Sequence, residues 1–487
     1  VTVTAVNDVP SFTAGADQSV LEDAGAQTVP AWATNLSAGP AEESGSYSPS
    51  AETTRVSVSS SGAQSSDHGS FPSMSKDGRF VLFHSGGDDL VAGDINASAD
   101  VFLHDLQTGE TTLVSVDSNG VQGNGSSRYG RLSADGLSLS FQSSADNLVP
   151  GDTNGGTGIF HRDLTTGVVT RVNVSSSGEG ANGWTGSYSV ISADGSFVAF
   201  RSSSTNLVAD DTNGADDIFV HELATGETTR VSVSTTGEAA NDDCLDTSIS
   251  GDGRYVVFNS RATNLVPSDT NESSDVFVHD RQTGETKRVS VSSAGVAGDG
   301  GSYRAMISLD GSAVTFSGPS TNLVSVDSNG SSYDVFVHYV STGETIIASR
   351  SSSGAQGDNS SDEGNLSADG RYLSFLSRSS NLVAGDTNGE MDLFVRDLQT
   401  GETIRASVSS SGAQTTEYMG YEKSFVSEDG RLVAFKSYDE GMVDDDDNDR
   451  SDVFVRAPLF EESETAGQAL TFTVMTDNDG LFTQLPT

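Results

Sequence analysis

Apolar and polar residues alternate in short runs along most of the chain, and the runs come in groups of four. In one group, "SVISADGSFVAF" at 189–200 holds two runs divided by an Asp-Gly turn. "DIFVHEL" at 217–223 is the third run, and "TTRVSVS" at 228–234 is the fourth, reached through a tight "ATGE" turn. Period-two alternation, β-branched residues and Gly-bearing turns predict antiparallel strands joined as hairpins. No long window carries the 3.6-residue period of an amphipathic helix.

The group repeats. An acidic loop precedes each third run, and its first Asp falls at Asp94, Asp152, Asp211, Asp269, Asp327, Asp386 and Asp446, at intervals of 58 to 60 residues. Four antiparallel strands per repeat is the composition of a propeller blade. The competing architecture, a β-solenoid, fails on counting. The Thr-Gly turn into the fourth strand occurs at Gly109, Gly167, Gly226, Gly284, Gly343 and Gly401, and is missing after the seventh third strand. The absent strand stands at the other end, where "ETTRVSV" at 52–58 duplicates 227–233. A closing strand at 53–59 would complete the last blade and remove two open sheet edges. The expected fold is therefore all-β: a seven-bladed β-propeller of four-stranded blades closed by an N-terminal strand.

The Ser-x-Asp-Gly, aromatic-Val-x-Phe and Asp-[Ile/Val]-Phe-Val pattern resembles the TolB-like, WD-like propeller repeats of bacterial proteins over about 50–457. The flanks, "AVNDVPSFTAGADQSVLEDAGAQTVPAWATNLSAGPAEESG" and "ESETAGQALTFTVMTDNDGLFTQLPT", resemble the tandem Ig-like or cadherin-like repeats of large bacterial surface proteins. That resemblance implies four segments. Residues 1–8 end a preceding repeat, 9–48 and 458–487 are the two parts of a truncated Ig-like domain, and 49–457 are a propeller inserted between them. It also implies an extracellular or cell-surface location, flanking Ig-like repeats as partners, and a chain that is a piece of something longer.

Charge narrows the partners. The 487 residues carry 69 acidic and 25 basic side chains, a formal net charge of −44. Such a field repels nucleic acid and anionic membranes and favours cations. No apolar run is long enough to insert in a membrane. Cys244 is the only cysteine, its neighbours in "NDDCLD" are acidic, and it is read as inert.

Oxygen ligands at alternating positions, with a glycine for the turn and a later carboxylate, are what Ca²⁺ loops use. The acidic loops supply Asp94, Asn96 and Asp100; Asp152 and Asn154; Asp211, Asn213 and Asp217; Asp269, Asn271 and Asp275; Asp327, Asn329 and Asp334; Asp386, Asn388 and Asp392; and Asp446, Asn448 and Asp452. Ca²⁺ is the expected cofactor, with "DDDDND" at 444–449 the strongest candidate and the second loop, where Gly158 replaces the late Asp, the weakest. The competing reading is that these residues only form Asx-turns.

A second column, on the third strands, is His104, Arg162, His221, His279, His338, Arg396 and Arg456. Arginine cannot replace histidine as a metal ligand or base, so this column is expected to pair structurally with carboxylates. His68 and His84 have no evident partners. First-strand residues four before each Asp-Gly aspartate should flank the channel, namely Ser73, Arg131, Val190, Ser248, Met306, Asn365 and Phe425, a ring without an acid–base pair.

The interblade loops vary most, and variable loops on a repeated scaffold are where binding resides. Tyr129, Trp184, Tyr188, Tyr303, Arg304, Tyr418 and Tyr421 are the candidate contacts for a glycan or protein ligand. Without a nucleophile motif, the expectation is a non-catalytic binding or adhesion module. The alternatives are a fibre or matrix subunit that self-associates through unpaired strands, and a propeller polysaccharide lyase or glycosidase.

Overall fold

The structure, a computed structural model, describes residues 52–460 except 153–155, 268, 270, 418 and 458, together with the backbone of Ser187 and of two strands near the N-terminus, Ser11–Ala14 and Ala33–Ser37. Those two strands pair antiparallel. The rest of the expected Ig-like segments lies outside the described residues.

Seven four-stranded antiparallel sheets form the propeller. The third of them runs Thr185–Ile191, Phe197–Ser202, Asp217–Glu222 and Thr228–Arg230, as the alternation predicts. Each blade buries both faces against its neighbours, which is why third strands such as Asp275–Asp280 are covered along their whole length. The core repeats with the blades. One phenylalanine from the second strand meets one from the third, at 5.8 Å for Phe83 and Phe102 and at 5.4 Å for Phe316 and Phe336.

The seventh blade is closed as expected. Its strands Phe425–Val426, Val433–Ser437 and Asp452–Ala457 are joined by Glu52–Arg55, with Glu52 opposite Ala457 and Arg55 opposite Phe454. The strand stops at Arg55 rather than running to 59, because the chain turns away into a short loop bridged by Val58 and Gln64 that recurs in all seven blades. At the other end the propeller extends beyond 457. Leu459 is buried in the last core cluster, and the Phe460 ring stacks on Tyr372 at 5.5 Å.

The cation column on the third strands ties blades together, but through hydroxyls and carbonyls rather than the expected carboxylates. His104 Nδ1 lies 2.8 Å from Thr111 Oγ1, which itself donates to Val58 O of the preceding loop. That proton being committed, the imidazole is the donor to threonine. His221, His279 and His338 repeat the arrangement with Thr228, Thr286 and Thr345. Burial lowers the pKa of all four, as fits neutral donors. Arg162, Arg396 and Arg456 reach the same preceding-loop carbonyls directly.

Candidate active site

The acidic loops come first, because they were the expected metal sites. In the six loops that have both, the structure brings the early Asp and the late Asp together, but it places a donor from the chain between them. Arg230 Nη1 sits 3.3 Å from Asp211 and 3.2 Å from Asp217. Arg288 bridges Asp269 and Asp275, Arg405 bridges Asp386 and Asp392, and Arg55 bridges Asp446 and Asp452. Arg171 pairs with Asp152. Where the fourth strand lacks arginine, an amide substitutes: Gln122 donates to Asp94 and Asp100, and Gln356 to Asp327 and Asp334.

The loop asparagines behave as Asx-turns. Asn213 and Asn388 turn their amide NH₂ toward the late Asp and accept a backbone N–H with their oxygen, and so do not present a ligand oxygen to a cation. Asn271 and Asn329 also direct their NH₂ to the late Asp. Asn96 and Asn448 donate instead to the carbonyls of Gly123 and Ser65. Asn154 lies outside the described residues. The late aspartates are fully buried and accept a serine hydroxyl, as Asp100 does from Ser115, and burial lifts Asp100, Asp334 and Asp452 to about 6. Among the described residues no three His, Cys, Asp or Glu side chains are grouped to hold a metal. In five loops a guanidinium of the chain stands against the carboxylates expected to hold Ca²⁺, and in the other two an amide does.

The chemistry gathers at the centre. The seven first strands converge on a 110 Å³ channel lined by Ser73, Arg131, Val190, Ser248, Met306, Asn365 and Phe425, the ring read from the sequence. Two to three residues earlier on each strand, at the mouth on the interblade-loop face, lies a second ring: Phe71, Tyr129, Tyr188, Asp246, Arg304, Glu363 and Glu422. In six of the blades the pairing register shifts within the first strand, a β-bulge that re-aims a side chain. Phe71, Tyr129, Asp246, Arg304 and Glu363 all have positive φ, between 27° and 57°. Such a backbone costs about 1–3 kcal/mol per non-glycine residue and persists where the surroundings impose it.

Neighbouring ring members supply part of that constraint. Glu422 accepts the Phe71 backbone N–H at 2.8 Å, and Asp246 accepts that of Arg304 at 3.2 Å. Arg304 Nη1 in turn contacts Glu363 at 2.6 Å and Asp362 at 2.9 Å.

The ring has two halves. Phe71, Tyr129 and Tyr188 form an aromatic wall with centroids 4.7 to 5.7 Å apart, and His84 stacks behind Phe71 at 5.1 Å. Asp246, Arg304, Glu363 and Glu422 form the charged half, with Lys423 at its centre. Lys423 is partly covered as a residue, yet its ammonium reaches Met306 Sδ at the channel at 2.8 Å. Below it, buried Arg131 lies over Phe425.

The electrostatics follow from burial. Glu363 is 7% exposed, and desolvation pushes it up to about 7 although Arg304 and Lys423 oppose the shift. Desolvation lowers Lys423, with Glu363 and Asp246 opposing. Burial lowers His84 to about 3, and desolvation against Tyr129 raises Tyr188 to about 12 although that residue is 45% exposed. A 590 Å³ side pocket opens beside the ring, lined by His68, His84, Arg128, Tyr129, Glu422 and Lys436.

Of the expected contact residues, Tyr129, Tyr188 and Arg304 belong to this ring, and Tyr421 faces the Arg304 guanidinium at 5.2 Å. Tyr303 stacks instead on Tyr333, and Trp184, 52% exposed, stands against Arg201. Tyr418 lies outside the described residues. Sequence reading missed Phe71, Asp246, Glu363, Glu422 and Lys423. The signal was present: 71, 129, 188, 246, 304, 363 and 422 recur at the repeat interval, and all but the last stand two residues before the channel-ring position, on the same side by ordinary alternation.

No protein-family model matches the chain, and no curated protein sequence matches it. Solved structures do resemble it. An oligogalacturonate lyase in complex with manganese is similar at 14% identity and a TM-score of 0.51, over 83% of this chain and 93% of that one. An oligogalacturonate lyase from Vibrio parahaemolyticus is similar at 11% identity with the same TM-score and coverage. TolB from Acinetobacter baumannii is similar at 17% identity and a TM-score of 0.37, over 63% of this chain and 59% of that one. At these identities the two lyases establish a shared propeller fold. The expectation of a non-catalytic adhesion module is corrected here: the two neighbours with TM-scores above 0.5 are oligogalacturonate lyases, and ionisable side chains gather at the mouth, outside the channel ring read from the sequence.

Proposed function

We propose that the chain is a propeller polysaccharide lyase that cleaves a uronate-containing glycan at the channel mouth. The observation that carries this reading is the placement of Glu363, Arg304 and Lys423 beside the Tyr129–Tyr188 wall, on a backbone held in a strained conformation. The names of the two lyase neighbours support it.

Eliminative cleavage needs a bound sugar, a neutralised carboxylate, a base and an acid, and the mouth offers a group for each. The sugar rings stack on Tyr129 and Tyr188. The uronate carboxylate meets the Lys423 ammonium and the Arg131 guanidinium, which favour the charge that develops when the adjacent carbon loses its proton. Glu363, poised near neutrality by burial, takes that proton. The electron pair forms the new carbon–carbon double bond, the glycosidic carbon–oxygen bond breaks, and the departing oxygen takes a proton from the Tyr188 phenol.

Incubation with polygalacturonate, alginate and glucuronate-containing glycans tests the reading. The unsaturated product absorbs in the ultraviolet, and its appearance should be lost in Glu363→Gln. New reducing ends without that absorbance would assign a glycosidase instead. No cleavage of any uronate polymer would refute both.

A further inference from the structure

The blades are not equivalent on the opposite face, where the Asp-Gly and Thr-Gly turns lie. In four blades an aromatic residue at the start of the second strand, Phe80, Phe197, Tyr255 or Tyr372, lies against the turn glycine of the next blade. A Cβ on Gly136, Gly253, Gly311 or Gly430 would fall 2.2 to 2.9 Å from the ring. Arginine stacks on each of these rings, as Arg79 does on Phe80 and Arg281 on Phe197. The facing third-strand position is Leu103, Val220, Val278, Val337, Val395 or Val455, always apolar.

Blade two breaks both rules at once. The aromatic position is Ser138 and the aliphatic position is His161. Pairing of Asp163 with Ser138 and of His161 with Ser140 puts both side chains on the same face of the sheet. The site of the stacked arginine is Leu137, exposed, beside exposed Val168.

The result is a 560 Å³ slot between blades two and three, with Leu137, Val168 and Leu223 on its walls. Ser138 and His161 at its base are 6% and 7% exposed, and Ser138 Oγ and His161 Nε2 have no hydrogen-bond partner. Both converge on Gly195 of the next turn: a Cβ there would lie 2.0 Å from Ser138 Oγ and 3.6 Å from His161 Nε2. Three carboxylates, Asp135, Asp163 and Asp194, stand at the rim, each already accepting backbone N–H bonds within its own turn.

We propose that this slot binds a phenolic ring, in the space that an intrinsic aromatic side chain fills in four other blades. The ring supplies a flat apolar body for exposed Leu137 and Val168 and for the open side of Leu223, whose other side packs on the core. With the Gly195 turn that covers both atoms displaced outward, its hydroxyl donates to His161 Nε2 and accepts from Ser138 Oγ–H, satisfying two buried polar atoms that are costly to leave unpaired. Burial lowers His161 to about 4, so the imidazole is neutral and able to accept at physiological pH. The acidic rim favours a phenol that carries a positive charge, and a tyrosine-like amine fits all three features.

Titration with 4-methylphenol, tyramine and toluene, followed by ligand-observed NMR, tests the proposal. The phenols should saturate, tyramine more tightly than 4-methylphenol, and toluene should bind at least about tenfold more weakly. His161→Val, the residue type of the sister blades, should cost a similar factor. The double variant Ser138→Phe with His161→Val rebuilds the sister-blade packing, so it should fold and lose binding. Glu363→Gln at the opposite mouth should leave phenol binding unchanged, which separates this site from the lyase reading. The proposal is overturned if wild type shows no saturable phenol binding, if His161→Val binds as wild type does, or if toluene equals 4-methylphenol.

Discussion

Arg304 Nη1 lies 2.6 Å from Glu363 Oε1, although the two residues are 59 positions apart and belong to adjacent blades. The contact closes the charged half of the mouth. It makes Glu363 a buried carboxyl that is held in place by a cation yet still protonates near neutrality. Burial is the larger effect, so the folded protein holds a proton that the unfolded chain, with a carboxyl near 4.5, has already lost.

The sign of the pH effect follows. Between the unfolded and folded pKa values the native state binds more protons, so stability falls as pH rises through that window. Its contribution is fully present below about 4.5 and gone above about 7. Glu363→Gln cannot lose a proton, so it should gain up to ~3 kcal/mol relative to wild type between about pH 5 and pH 8. Urea melts of both proteins across that range check this, and parallel curves would remove Glu363 as the titrating group.

Lys423→Met keeps the length of the side chain and removes its charge from the channel. If the ammonium meets the uronate carboxylate, turnover should drop by about 10² or more while the melting temperature holds or rises. Activity within a factor of about two of wild type would take Lys423 out of the site. A rise is plausible on stability grounds because a desolvated ammonium no longer has to be accommodated.

Ionic strength should act opposite to its usual direction for an enzyme on a polyanion. The chain carries −44, so an approaching acidic glycan is repelled at long range, whereas the cations at the mouth are buried and little screened. Raising salt from about 10 mM to about 150 mM should increase kcat/KM on a uronate polymer. A steady decline with salt would place the attractive charges on the open surface instead.

Arg230 holds Asp211 and Asp217 together in the position where a divalent cation was expected. Arg230→Gln should lower stability by about 1–3 kcal/mol by leaving two buried carboxylates without their cation. Millimolar Ca²⁺ should then raise the melting temperature of the variant more than that of wild type. An equal shift in both proteins would mean that calcium binds elsewhere.

Thr53 anchors the closing strand through its hydroxyl, which donates to Val408 O and accepts from Arg456 Nη1. Removing residues 1–60 takes away that strand and exposes the edge of Asp452–Ala457. Amide exchange should accelerate first along 452–457, ahead of the other six blades. Unchanged protection there would contradict closure by the N-terminal strand.

Several features were legible in the sequence because they are properties of single strands and of counting. The repeat interval, the strand-and-turn chemistry of each unit and the displaced seventh fourth strand together specified seven blades and how they close. The channel-lining ring was also readable, since those positions follow the ordinary alternation. Composition gave the acidic surface, and the variable loops pointed to the face on which Tyr129, Tyr188 and Arg304 lie.

Which donor of the chain meets the acidic-loop carboxylates depended on tertiary register. A pattern of Asp and Asn is the same for Ca²⁺ and for guanidinium, and only the register of the fourth strand put Arg230 and Arg288 between the carboxylates. The charged ring was hidden for a related reason. Its members are far apart along the chain, and which of them meet is set by the bulge and positive φ that re-aim their side chains at the mouth. The sequence alone therefore determined the scaffold, which is built from local periodicity repeated seven times. The tertiary structure decided the site, because its acid, its cations and its aromatic wall come from different blades and meet only when the ring is closed.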